Sequence, residues 1–394
     1  MHKFFILTPQ KALLTFKYML INKLRLPPKS QFFYNMVRKK GKAVGDKLKR
    51  IRLALAALCL TLCLASCSGQ ASLNGTAFSS HWAQPPKNSA QETQGADNMQ
   101  SNQNLNQAFT TETRIDEVIN HPAFEGYGRL IFPVNSAYYS GETLGELRLT
   151  WYSNIDADKT VEIANYFKDS ALAGETIFYD IYTPQEKEED PAKEDTGLFF
   201  FRGNPGEKFA ICNAGGGFAY VGAMQDSFPH ALELSKRGYN AFALIYRPGA
   251  QTACEDLARA ISFIFKNAEE LGVDTNCYSL WGGSAGGRMA AWLGSYGPAA
   301  FNGDQLPRPG AVIMQYTGHT DYTPNDPSTF ACVGERDGIA SWRTMQNRID
   351  AMSSLGIPTQ FRHYPGLGHG FGLGTGTIAQ GWLDEAVAFW EAQM

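Results

Sequence analysis

Leu280-Trp281-Gly282-Gly283-Ser284-Ala285-Gly286-Gly287-Arg288 is the most informative segment of the chain. It contains Gly-x-Ser-x-Gly, with Ser284 at the centre. Upstream, Cys277-Tyr278-Ser279-Leu280-Trp281 reads as a short buried strand. Downstream, Met289-Ala290-Ala291-Trp292-Leu293 continues as a helix that Gly297-Pro298 stops. A serine in this context sits on a sharp, strained turn, and glycines two before and two after it let strand and helix pack closely. The competing reading is an ordinary Gly/Ser loop. The strand before and the helix after favour a nucleophilic serine.

Working outward, residues 176–394 alternate strand and helix. Strands are expected at Ile177–Tyr182, Leu198–Phe201, Phe209–Asn213, Ala241–Tyr246, Cys277–Trp281, Ala311–Tyr316, Thr329–Val333 and Thr359–His363. Between them, Leu257, Ala260, Ile261, Ile264, Phe265, Ala268 and Leu271 fall on one helical face, and Ile339–Leu355 and Thr377–Gln393 also read as helices. Such alternation implies an α/β fold: a mostly parallel, eight-stranded-type sheet covered by helices on both faces. The acidic run Glu186–Asp195 between the first two strands reads as a solvated hairpin loop.

A serine hydroxyl needs a base, and the base needs a group to orient it. In a parallel sheet, reactive groups gather at the carboxyl ends of strands. Gly334-Glu335-Arg336-Asp337-Gly338 follows one late strand, and Gly366-Leu367-Gly368-His369-Gly370 follows the last. The chain order is therefore Ser284, Asp337, His369. Glu335 is the alternative acid, with Asp337 favoured by its position in the strand-end turn; His363 falls on a strand. Asn213-Ala214-Gly215-Gly216-Gly217-Phe218 follows the third strand. Its glycines let the N–H groups of Gly215, Gly216 and Gly217 converge on a developing oxyanion, together with that of Ala285. No Lys-Ser/Thr follows, which argues against a phosphate loop. Phe218, Gly283 and His319 are the candidate substrate contacts.

These residues resemble the α/β-hydrolase superfamily, and within it the bacterial esterase and lipase group that includes acetyl-xylan and feruloyl-esterase-like enzymes. The resemblance covers residues 176–394 and rests on Gly-Gly-Gly-Phe at 215–218, Tyr246-Arg247, Gly-Gly-Ser-Ala-Gly-Gly at 282–287, Gly-x-x-Asp at 334–337 and Tyr-Pro-Gly-x-Gly-His-Gly-Phe at 364–371. One departure is Ala214, preceded by Asn213, where many relatives carry histidine before the glycine run. The resemblance implies hydrolysis of carboxylic esters with no cofactor and no metal. The alternatives are a prolyl-oligopeptidase-like serine peptidase, for which no propeller-like array is visible upstream, and a binding lipoprotein that kept the fold and lost the activity.

The remainder of the chain reads as export and tethering. Residues 1–66 hold 14 of the 35 Lys/Arg and only one acid, Asp46, so residues 67–394 carry 21 − 37 = −16 by formal charge. An acidic body argues against nucleic acid as a partner. Arg38 to Arg52 forms a basic n-region and Leu53–Leu64 an apolar h-region too short for a comfortable membrane span. Met36 would make a more conventional start than Met1. Leu64-Ala65-Ser66-Cys67 resembles a bacterial lipobox, making Cys67 the expected lipidated anchor of a cell-envelope lipoprotein, or of a secreted protein if the cysteine stays unmodified. Residues 67–112, rich in Ser, Gln and Asn, read as a disordered tether. Residues 113–175 read as an N-terminal elaboration of the catalytic core at 176–394, either packed against it or part of a lid. In that elaboration Glu146–Tyr152 alternates like a strand and Asp156–Ala173 has helical spacing. Tyr138, Tyr139, Trp151 and Tyr152 read as core or edge residues in preference to a substrate cleft. Cys212, Cys277 and Cys332 read as small buried hydrophobes, and no cysteine pair has zinc-ligand spacing.

Overall fold

The eight expected strands assemble into one sheet in a computed structural model that describes residues 105–152 and 155–394. The export segment, Cys67 and most of the tether lie outside the described residues. The strands are β1 Phe178–Tyr179, β2 Gly197–Phe201, β3 Lys208–Asn213, β4 Asn240–Ile245, β5 Asp274–Gly283, β6 Ala311–Gln315, β7 Ser328–Gly334 and β8 Thr359–Tyr364. Their order across the sheet is β1-β2-β4-β3-β5-β6-β7-β8. Strands β3 to β8 run parallel, while β2 is antiparallel to both β1 and β4. Register aligns the carboxyl ends: Asn213 sits beside Gly282, Gly283 beside Gln315, and Tyr364 beside Gly334.

The central strands are apolar along their whole length because both faces are covered; β2 (Gly197-Leu-Phe-Phe-Phe201) and β4 are buried at every position. Among the described residues, the helices of eight or more residues are α1 Ala157–Leu172, α2 Phe228–Lys236, α3 Ala250–Lys266, α4 Ala285–Tyr296, α5 Trp342–Ser354 and α6 Trp382–Glu391. Helices α3 and α4 pack together on one face, where Gly294 of α4 meets Val312 of β6. Arg348 of α5 reaches Met314 of β6 on that same side. On the other face Trp281 of β5 packs against Trp382 and Trp390 of α6, and His230 of α2 joins Trp382. Among the described residues no helix is long and apolar enough to cross a membrane.

Four expectations are corrected. The acidic run is no simple hairpin loop: Thr183 and Glu186 form a capping box that starts a helix over Pro184–Glu189, and Asp190 pairs with the buried Arg247. Glu146–Tyr152 pairs as a strand only at Arg148–Leu149, against Tyr139–Ser140. The tether does not run to residue 112, since Phe109 is buried and exchanges two hydrogen bonds with Asn165 of α1. Helix α5 begins at Trp342 and leaves Ile339 in an exposed loop. Cys212, Cys254 and Cys332 are buried and Cys277 is partly buried; all four are free thiols.

Candidate active site

Strand β5 delivers Ser284 to the carboxyl edge of the sheet, and α4 begins immediately after it. The serine has φ +52° and ψ −115°, a region that side chains seldom occupy, so the turn is strained as the motif requires. The flanking glycines are sterically forced. A Cβ on Gly282 would lie 2.2 Å from the Gly286 carbonyl carbon, and one on Gly286 would lie 1.9 Å from the Asn213 oxygen. Nothing larger than hydrogen fits where strand, turn and oxyanion loop meet.

The two later strand ends supply the partners. His369 Nε2 lies 3.1 Å from Ser284 Oγ, and His369 Nδ1 lies 2.7 Å from Asp337 Oδ2. The other Asp337 oxygen accepts the backbone N–H groups of Ile339 and Ala340 at 2.8 and 2.7 Å. The Asp337 side chain is fully enclosed, whereas Glu335 is exposed. A carboxylate at Nδ1 holds the proton there and leaves Nε2 to accept from the serine hydroxyl. The histidine loop is fixed from beneath: Gln225 donates to the Gly370 carbonyl, and Gln315 and Trp382 both donate to that of Gly372. His363 is exposed and stacks on Trp342, away from this group.

The glycine loop after β3 is narrower in use than its sequence suggests. The Gly215 N–H donates to Asp226 Oδ2 at 3.0 Å, so it is not free to meet an oxyanion. Gly216 and Gly217, both at positive φ, remain with Ala285 at the start of α4. Asp226 itself is the residue that sequence reasoning missed. Its enclosed carboxylate accepts from the Tyr152 hydroxyl at 2.5 Å and from the Tyr316 hydroxyl as well as from Gly215. Burial pushes its pKa up, while these three donors pull it down. Tyr152 also packs against Gly370, so it lies between the oxyanion loop and the histidine loop, while the Tyr316 ring meets His369 edge-on. No motif marks Asp226; a carboxylate followed by Ser227 and Phe228 reads as a helix start.

A cavity of about 440 Å³ opens beside Ser284, lined by Phe218, Arg288, Tyr316, Thr317, Ser341 and Thr344 among others. Phe218 therefore sits where a substrate contact was expected. Gly283 and His319 do not. Gly283 is packed against the Asp226 carboxylate and the Tyr316 ring. His319 is 3% exposed behind the wall, edge-on to Trp292, and burial followed by Arg348 and Arg288 pushes its pKa down to about 3. Trp151, expected as a core or edge residue, is 53% exposed at φ +72°, its indole against Gly217 and beside Tyr138 and Tyr220.

Comparison with known proteins matches residues 204–316 to the family BD-FAE, a span that includes the glycine loop and Ser284 and ends before Asp337 and His369. No curated protein matches. Among solved structures the chain is similar to an acetyl ester-xyloside bifunctional hydrolase from Caldicellulosiruptor lactoaceticus, with 20% identity, 55% of this chain and 95% of that one covered, and a TM-score of 0.48. It is also similar to an esterase from the Planctomycetes species Thermogutta terrifontis, with 22% identity, 50% and 89% coverage and a TM-score of 0.43. A sugar hydrolase from Lactococcus lactis aligns with 22% identity, 50% and 94% coverage and a TM-score of 0.43.

Proposed function

We propose that the chain, whose mostly parallel sheet carries Ser284, Asp337 and His369 at its strand ends, is a serine esterase acting on carboxylic esters, with acylated carbohydrate as its substrate class. The observation that carries the reading is the continuous contact from Ser284 Oγ through His369 to Asp337 at 3.1 and 2.7 Å. Ser284 attacks the ester carbonyl as His369 Nε2 takes its proton, and Asp337 steadies the imidazolium that results. The negative charge on the carbonyl oxygen is met by the N–H groups of Gly216, Gly217 and Ala285. The positive end of α4 adds to their effect. The tetrahedral intermediate collapses, and His369 returns its proton to the departing alcohol oxygen. Water, deprotonated by the same nitrogen, then attacks the acyl-serine and releases the acid with Ser284 restored.

Support for a carbohydrate comes from Trp151. An exposed indole held on a strained backbone beside the oxyanion loop offers a flat apolar face with a polar edge, which suits the face of a sugar ring. We also propose that the protein is exported and anchored through Cys67, on the strength of the lipobox-like Leu64-Ala65-Ser66-Cys67. The functional test is kcat/KM of the full chain for p-nitrophenyl acetate, acetylated and feruloylated xylo-oligosaccharides and a matched peptide amide. The expected result is ester hydrolysis that exceeds the amide by several orders of magnitude and disappears in Ser284→Ala. Equal rates on ester and amide would replace the esterase with a peptidase. Retention of full activity by Ser284→Ala would remove the mechanism.

A further inference from the structure

Arg288 is the single charged residue lining the cavity beside Ser284. It belongs to the first turn of α4, where its N–H donates to the Ser284 carbonyl, so it stands one turn above the nucleophile on the same side of the helix. Long helical side chains lean toward the amino end, here toward the serine. The guanidinium lies 5.9 Å from the Trp292 ring, at the edge of cation–π range, and 4.0 Å from where a Cβ on Gly318 would stand. Trp292 in turn stacks on Phe218, so the group is backed by a rigid aromatic wall.

Three other arginines with buried or half-buried side chains have acid partners. Arg247 pairs with Asp256 and Asp190, Arg348 with Asp326, and Arg259 with Glu186. Arg288 makes no ion pair and no side-chain hydrogen bond among the described residues, although it is partly buried. The neighbouring His319 is held neutral, so no second charge competes at that wall. A guanidinium carries five donors in a planar fork matched to a carboxylate, and removing it from water without an acceptor is unfavourable. Thr317, Ser341 and Thr344 add hydroxyl groups to the same cavity.

Resting on the esterase reading, we propose that the natural substrate is an ester that also bears a carboxylate, and that Arg288 holds this carboxylate while Ser284 attacks the ester. The carboxylate can belong to either half of the substrate. Two matched pairs separate these sources: mono-p-nitrophenyl glutarate against p-nitrophenyl pentanoate for the acyl half, and 4-acetoxybenzoate against 4-acetoxybenzamide for the alcohol half. The quantity read is the anionic-to-neutral ratio of kcat/KM for the full chain, normalised to the same ratio for alkaline hydrolysis without enzyme. A charge-assisted contact of this kind raises the ratio at least about tenfold in one pair, mainly through KM. Arg288→Gln returns it to about 1 and Arg288→Glu takes it lower. A ratio near 1 in both pairs for the unmodified chain, or a preference that survives Arg288→Gln, overturns the proposal. If none of the four esters is cleaved, the esterase reading has failed, and calorimetric titration decides on Arg288. Binding of glutarate or benzoate, but not of glutaramide or benzamide, that is lost in Arg288→Gln upholds the anion site; no binding overturns it.

Discussion

Asp226 offers the sharpest perturbation of the site's scaffold, because three donors converge on its two oxygens in a space closed to water. In Asp226→Asn the shape is kept, but one oxygen becomes an NH₂ group. The Gly215 N–H cannot turn away, so the carboxamide must present its oxygen to Gly215 and Tyr152 and its nitrogen to Tyr316. The Tyr316 hydroxyl can rotate to accept, but it already accepts the Gly372 N–H at 3.3 Å. One charge-assisted hydrogen bond is lost and one donor is crowded, which costs about 2 kcal/mol of stability with the oxyanion loop still held. Asp226→Ala frees Gly215 and leaves both tyrosine hydroxyls without an acceptor. Its expected cost is about 3–5 kcal/mol, with kcat reduced by roughly ten- to a hundredfold as Gly216 and Gly217 lose their anchor. Urea unfolding followed by tryptophan fluorescence, paired with kcat on p-nitrophenyl acetate, measures both. If Asp226→Asn matches the unmodified chain in stability, or a folded Asp226→Ala keeps full kcat, the anchoring role is refuted.

The remaining predictions are more direct. Burial pushes His230 down to about 4 and His319 to about 3 from an ordinary 6.5, so below pH 6.5 the unfolded chain binds protons that the folded chain refuses. Each histidine then costs about 1.4 kcal/mol per pH unit, ~3 kcal/mol by pH 4 for His230, and none above pH 6.5. Unfolding free energies at pH 7, 6 and 5 should therefore fall less steeply for His319→Leu than for the parent; identical slopes would contradict this. Asp337→Asn should lower kcat by about 10⁴ through loss of the imidazole's orientation, while Glu335→Gln, at an exposed position, should not. A larger effect at Glu335, read on p-nitrophenyl acetate, would move the acid. A clickable fatty acid fed to expressing bacteria should mark the parent and not Cys67→Ala, and equal labelling would end the anchor proposal.

What was legible in the sequence followed from burial patterns and chain order. Apolar runs such as Gly197–Phe201 and Asn240–Ile245 record a sheet covered on both faces, and the eight strands were found from them. Ser284, Asp337 and His369 were legible because each follows a strand, and parallel strands bring their ends together. What was not legible depends on contacts between distant segments. Asp226 looks like any helix-start aspartate until Tyr152 and Tyr316, 74 and 90 residues away, close on it. Trp151 could not be placed because its segment has almost no regular structure, and its exposure is set by Gly217 beneath it. The Thr183-Pro-Gln-Glu186 capping box is a local signal in the sequence, masked by the charge run that follows it.

Covalent trapping reports on the nucleophile itself: the full chain is treated with a fluorophosphonate, and the adduct is mapped by peptide mass spectrometry. A nucleophilic Ser284 requires one adduct per chain, on that residue, with esterase activity lost in proportion to labelling and no labelling after Ser284→Ala or His369→Ala. An unlabelled but active protein, or an adduct on another residue with hydrolysis undiminished, would contradict it.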